Sequence, residues 1–192
     1  LKLMINVVDT PNPDTKKFVF DQTIVKMGSK EFKKNDQSNI DLVNDLFLIK
    51  NLELVYLDKN FISIKKNKDS SWDDIVQDIL ETLNKRISEN FNALSFEEES
   101  EFTDDISKRI EEVLNDKIRP AVAMDGGDIR LKSFKDGVAE VMLKGACAGC
   151  PSSTVTLKHG VERMIKHYVP EVTSVEALSL IHISEPTRLW HI

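Results

Sequence analysis

No stretch of this chain approaches the roughly 18 to 20 consecutive apolar residues that a membrane-spanning helix needs. The N-terminus lacks a basic segment followed by an apolar run and a small-residue cleavage site. A protein of the cytoplasm, or of an organelle matrix, is expected, with no membrane association. A positive balance is lacking: 26 Lys and Arg stand against 32 Asp and Glu, a formal net charge of −6 at pH 7, the opposite of the basic surface that displaces counterions from a phosphate backbone, so a general nucleic-acid binder is not expected. Cysteine is scarce. Two in 192 residues cannot build a disulfide framework. Their Cys-x-x-Cys spacing, Cys147 to Cys150, points instead to metal or redox chemistry.

What is present suits two modest cores. Hydrophobic residues make up 41% and charged residues 30% of the chain, ordinary values for a folded protein. Ile5 to Val8 and Phe18 to Phe20 read as strands around the proline-rigidified turn Thr10-Pro11-Asn12-Pro13-Asp14. From Asn39, apolar residues at Ile40, Val43, Leu46 and Phe47 predict a short helix with Ser38 available as its cap. Leu52 to Leu57 and Phe61 to Ile64 read as a hairpin turning at Asp58-Lys59-Asn60, and Ser71 is expected to cap a helix lined by Trp72, Ile75, Ile79 and Leu83. The acidic, weakly patterned stretch 89–103 reads as an exposed linker.

Beyond it, Thr103-Asp104-Asp105 opens an amphipathic helix with the stripe Ile106, Ile110, Val113, Leu114 and Ile118, which Pro120 is expected to disrupt. Asp125-Gly126-Gly127-Asp128 reads as a turn, followed by strands near 129–134 and 138–143 joined through Lys135-Asp136-Gly137. A helix running to Pro170 and a third strand near 172–177 complete the pattern. The fold class expected is α+β: two small α+β domains at 4–88 and 104–178, joined by the acidic linker. Leu178 to Arg188 reads Leu-Ser-Leu-Ile-His-Ile-Ser-Glu-Pro-Thr-Arg, resembling the translation of a sequencing-library adapter. Residues 179–192 are therefore expected to be a non-native tail, and Met4 the natural start.

The chemistry concentrates in Lys144-Gly145-Ala146-Cys147-Ala148-Gly149-Cys150-Pro151. Only two small residues separate the thiols, glycines permit a tight loop, and Pro151 suits the first turn of a helix. The N–H groups of a helix N-terminus favour thiolates or an anionic cluster, a field to which Lys144 and Lys158 could add. Three readings fit. A thiol–disulfide oxidoreductase also uses Cys-x-x-Cys at a helix start, but here the preceding unit is a hairpin, and Ala-Gly stands between the cysteines. Zinc wants four ligands, and His159 and His167 are too widely spaced for a zinc-finger pair, which has about three to five intervening residues. An iron–sulfur cluster also wants four ligands, usually thiolates, and two copies of this chain would supply them. Two ligands per subunit suit a transfer station.

The stretch from Ile118 to Leu157, with Asp125-Gly126-Gly127-Asp128 and Cys147-Ala148-Gly149-Cys150-Pro151-Ser152-Ser153, closely resembles the NifU-like C-terminal domain. The first part, with Asp9-Thr10-Pro11-Asn12-Pro13, Lys17-Phe18 and the Phe61-Ile62 strand, resembles the Nfu N-terminal domain. The resemblance implies a scaffold or carrier, not an enzyme. It would assemble or receive a [4Fe–4S] cluster on Cys147 and Cys150 at a homodimer junction and deliver it to apo iron–sulfur client proteins. It further implies contact with upstream assembly machinery, in a bacterial cytoplasm or alternatively a mitochondrial matrix. Asp125 to Asp128 are expected to shape a turn and not to ligate. The first domain has neither cysteine nor histidine; binding clients or the assembly machinery is the role expected of it.

Overall fold

The computed structural model describes residues 4–87, 91–97 and 102–178. The tail expected at 179–192 and the acidic run at 98–101 lie outside the described residues.

Alternating apolar residues in the first part build a five-stranded antiparallel sheet in the order β1-β2-β6-β5-β4. Its strands are β1 (Ile5–Asp9), β2 (Thr15–Phe20), β4 (Lys30–Lys33), β5 (Leu52–Leu57) and β6 (Phe61–Lys66), with a short β3 (Val25–Met27) beside them. Helices α1 (Asp41–Leu48) and α2 (Val76–Arg86) belong to the same core, which gathers Phe18, Phe32, Leu46, Val55, Ile62, Ile64, Ile79 and Leu83, all buried. The period-two rule sends their neighbours to the other face. Leu54, Tyr56 and Phe61 are nonetheless buried there, as a separate cluster that Val19 and Ala123 join. Both faces of β5 and β6 are therefore covered, and the second cover is domain 2.

Two expected caps are displaced. Ser38 Oγ accepts from Ile40 N–H ahead of α1, and Ser71 Oγ accepts from Asp73 N–H before a turn that precedes α2; neither is the N-cap residue. The stretch expected to be an exposed linker is partly structured. Leu94–Ser95 forms β7, which pairs in parallel with β3, and Phe91, Leu94 and Phe96 pack on the first core. Three apolar residues in the polar segment outweigh its composition.

In the second part α3 (Asp105–Val113) is capped by Asp104, whose Oδ1 accepts from Ser107 N–H at 2.8 Å. Pro120 does not break the path. A π-helical turn, Leu114–Ile118, leads directly into α4 (Arg119–Met124), where Pro120 sits in the first turn and needs no N–H partner. Then β8 (Gly127–Lys135) and β9 (Val138–Gly145) form a hairpin whose Asp136 and Gly137 have φ of 52° and 81°. Two successive positive φ values are the demand that an Asp-Gly pair meets. Helix α5 (Pro151–Tyr168) crosses back to β10 (Ser174–Leu178), giving the sheet order β10-β9-β8, with β10 parallel to β9. Ile110, Leu114, Leu131, Val141, Val161, Ile165 and Val175 form the second core. The fold is α+β, and among the described residues no helix is long and apolar enough to cross a membrane.

Ile64 is fully buried in the first core. Ile64→Ala is expected to lower unfolding free energy by about 2 to 5 kcal/mol through lost transfer energy and a residual cavity; urea denaturation followed by circular dichroism checks it.

Candidate iron–sulfur site

The loop bearing the thiols leaves β9 at Gly145, whose φ of +64° turns the backbone sharply, and Ala148 N–H closes the turn onto Gly145 O at 3.1 Å. Cys147 is the third residue of that turn. Cys150 is the N-cap residue of α5, and no side chain caps that helix start. Both cysteines are reduced and buried, Cys147 at 6% and Cys150 at 1% exposure.

The Asp-Gly-Gly-Asp segment cradles this loop. Gly126 has φ +79°, and its carbonyl accepts from Ala146 N–H at 3.1 Å. A Cβ on Gly127 would overlap Cys147 Sγ, so only glycine lets β8 pass beneath the sulfur. Asp128, 3% exposed, accepts from Arg119 Nε at 2.8 Å and from Arg130 Nε at 3.0 Å. Burial pushes its carboxyl up, but the two guanidinium groups outweigh burial and hold it below the usual range. Its carboxylate is the hub on which Arg119 and Arg130 meet.

Domain 1 reaches the same place. Four residues directly opposite one another across β4, β5, β6 and β2 form one row on the outer sheet face: Glu31, Tyr56, Ser63 and Lys17. Gly145 N–H donates to Glu31 Oε2 at 2.7 Å, Ser63 Oγ donates to Gly126 O at 2.6 Å, and Lys17 Nζ donates to Ala123 O at 2.7 Å. A Cβ on Gly145 would come within 3.0 Å of the Tyr56 ring. The Thr10–Pro13 loop adds Asn12 Nδ2, which donates to Ala146 O at 3.2 Å, and Pro11 O, 3.9 Å from Cys150 Sγ. Pro11 and Asn12 join Ile118, Val122, Leu157 and both cysteines around a cleft of about 500 Å³.

The electrostatics differ from the expectation of a thiolate. Burial first, then Asp125, Cys150 and Asp128, push the Cys147 thiol up to about 12. At neutral pH Cys147 is a thiol in this arrangement, because desolvation beats whatever the start of α5 supplies. His159 and His167 are both exposed on α5. Among the described residues no group of three or more His, Cys, Asp or Glu side chains could hold a metal ion.

Comparison with known proteins fits this arrangement. Residues 5–90 match the family described as scaffold protein Nfu/NifU N terminal, and residues 110–176 match the NifU-like domain. The chain belongs to the NifU-like (Nfu) family. It is 33% identical over 181 residues to the human protein named "NFU1 iron-sulfur cluster scaffold homolog, mitochondrial", covering 91% of this chain and 71% of the human one. A protein of the same name from Drosophila persimilis is 33% identical over 182 residues, 91% of this chain and 64% of its own. A solution structure of a NifU-like protein from Saccharomyces cerevisiae aligns over 44% of this chain and 77% of its own, with 24% identity and a TM-score of 0.40.

Sequence reasoning singled out the cysteines and the glycine turn but missed Glu31, Tyr56, Ser63 and Asn12 as parts of the site. The near-continuous apolar runs of β5 and β6 were the available signal, since strands covered on both faces lose the polar alternation.

Asp128→Asn is expected to cost about 3 kcal/mol, the lower end of the range for breaking a buried ion pair, because both guanidinium groups keep some contact with water. A carboxyl held low in the fold contributes stability that is present above its unfolded value, about pH 4, and lost as the pH falls through the folded value. Acid titration of thermal stability should show a shallower loss below about pH 4 in the variant than in the parent chain.

Proposed function

We propose that this chain is an iron–sulfur cluster scaffold or carrier with no catalytic turnover of its own. In this reading it takes up a [4Fe–4S] cluster on Cys147 and Cys150, two thiolates from each of two copies, and passes it to apo-proteins. The observation that carries the reading is the pairing of two sulfurs on one loop, against Gly127 and at the start of α5, with no third ligand group gathered beside them among the described residues. A [4Fe–4S] cluster takes four protein ligands, one on each iron and usually thiolates, so a symmetric second copy completes the set. The same family's members being named iron–sulfur cluster scaffolds supports the role.

Those names also carry the word mitochondrial, which favours a mitochondrial matrix over the bacterial cytoplasm as the working location. Cluster holding is assigned to the unit at 104–178, and contact with clients and assembly machinery to the unit at 4–88. The thiol–disulfide reading is disfavoured by the local fold: the cysteine loop follows the antiparallel β8–β9 hairpin, where a βαβ unit would be expected, and Ala148-Gly149 stands between the cysteines.

Anaerobic reconstitution with iron and sulfide, followed by native mass spectrometry, tests the proposal. The expected product is a dimer carrying one four-iron, four-sulfide core. Cys147→Ser or Cys150→Ser should each reduce retained iron and sulfide by more than about tenfold, since a hydroxyl is a harder and far less acidic ligand. A stable monomer holding the complete core without an added thiol would falsify the shared-ligand arrangement.

A further inference from the structure

The sheet face that covers the cysteine loop is unusual in what it buries. Tyr56 is fully buried on it, and its hydroxyl donates to Asp58 Oδ2 at 2.8 Å. Glu31 is desolvated enough that its carboxyl is pushed up despite the Gly145 N–H it accepts. Lys17 is also pulled from water and held over the Phe61 ring, 4.3 Å from its centroid. Groups of this kind are costly to desolvate unless a partner satisfies them. The partner is specific. Among the described residues, the hydrogen bonds that Lys17, Glu31, Ser63 and Asn12 make across the boundary go to backbone atoms in two short pieces, 123–126 and 145–146.

The covering loop is stiff. Asp14 N–H donates to Asn12 Oδ1, Thr15 N–H donates to Asn12 O at 2.9 Å, and Trp72 Nε1 donates to Pro13 O at 2.9 Å. Asn12 is thus presented to Ala146 by a preformed turn. Beside it, Pro11 lines the same cleft as both cysteines, its carbonyl oxygen 3.9 Å from Cys150 Sγ.

We propose that domain 1 is a detachable cap on the thiol pair. Its Glu31–Tyr56–Ser63–Lys17 row and its Pro11–Asn12 loop bind the cysteine loop of the same chain and hide both sulfurs, and the cap must leave before a second copy can share a cluster with them. The cap is a property of the metal-free chain. Its release rests on the reading that Cys147 and Cys150 are the cluster ligands. Closed chain and cluster-bridged pair are then mutually exclusive partners for one loop. The first domain would set when the thiols become available, beyond any contact it makes with clients.

The full-length, metal-free chain tests the cap without any iron. Alkylation of Cys147 and Cys150 by iodoacetamide, mapped by peptide mass spectrometry, should be slow in the parent chain. In Asn12→Ala/Glu31→Ala it should be at least about tenfold faster, as two cross-boundary hydrogen bonds are lost. Arg86→Ala, which removes an ion pair to Asp45 inside domain 1, should leave the rate unchanged. Equal rates in the parent and the double variant, with unchanged circular dichroism, overturn the cap. So does an equal acceleration in Arg86→Ala.

Release is read in the parent chain itself, so that a poorly folding variant cannot obscure it. The Gly145 amide should be protected from hydrogen exchange when metal-free and exchange at least about tenfold faster after reconstitution. Continued protection in the cluster-loaded dimer overturns release. A chain that takes up no cluster sinks the ligand reading and release together, while the alkylation result still decides the cap.

Discussion

One carbonyl oxygen ties the molecule together. Gly126 O accepts from Ala146 N–H on the cysteine loop and from Ser63 Oγ on the sheet of domain 1. For that oxygen to face both, Gly126 must hold a positive φ, and a side chain there would meet Ser63 Oγ at 2.8 Å. Gly127 must then pass under Cys147 without a Cβ. The two glycines have separate reasons to be glycine, one conformational and one steric.

Around this point the polar residues are spent on shape. Asp128 gathers Arg119 and Arg130 and accepts from Ser29 of domain 1 at 3.3 Å, fixing the start of β8 from three directions. The π-helical turn before α4 lets the chain continue through Pro120 while Ile118 and Val122 stay in the second core. In this chain a buried carboxylate and two glycines aim the cysteine pair.

Much of this was legible in the sequence wherever the determinant is local. The Asp136-Gly137 turn, the apolar stripe of α3, the strands β5 and β6 and the cysteine pair all announce themselves within a few residues. What was not legible is non-local. Glu31 and Ser63 sit at polar positions of their strands and read like ordinary solvent-facing residues, because nothing nearby in sequence shows that 145 and 126 lie against them. The thiol of Cys147 was misjudged for the same reason. The helix start is visible in Pro151, but the burial that overrides it comes from distant chain.

Strand β7 has a consequence for how the two units meet. Phe96 N–H donates to Met27 O at 2.9 Å, so domain 1 holds the chain as far as Phe96, and α3 is capped at Asp104. The tether is short, and its ends can separate by no more than about 3.3 to 3.6 Å per residue. On the capping proposal, redocking would be a unimolecular event, which for a short tether corresponds to an effective concentration in about the millimolar range. A second copy at ordinary micromolar abundance competes against odds of roughly a thousand to one on concentration alone. Bonds from sulfur to a shared core are the kind of gain large enough to reverse them.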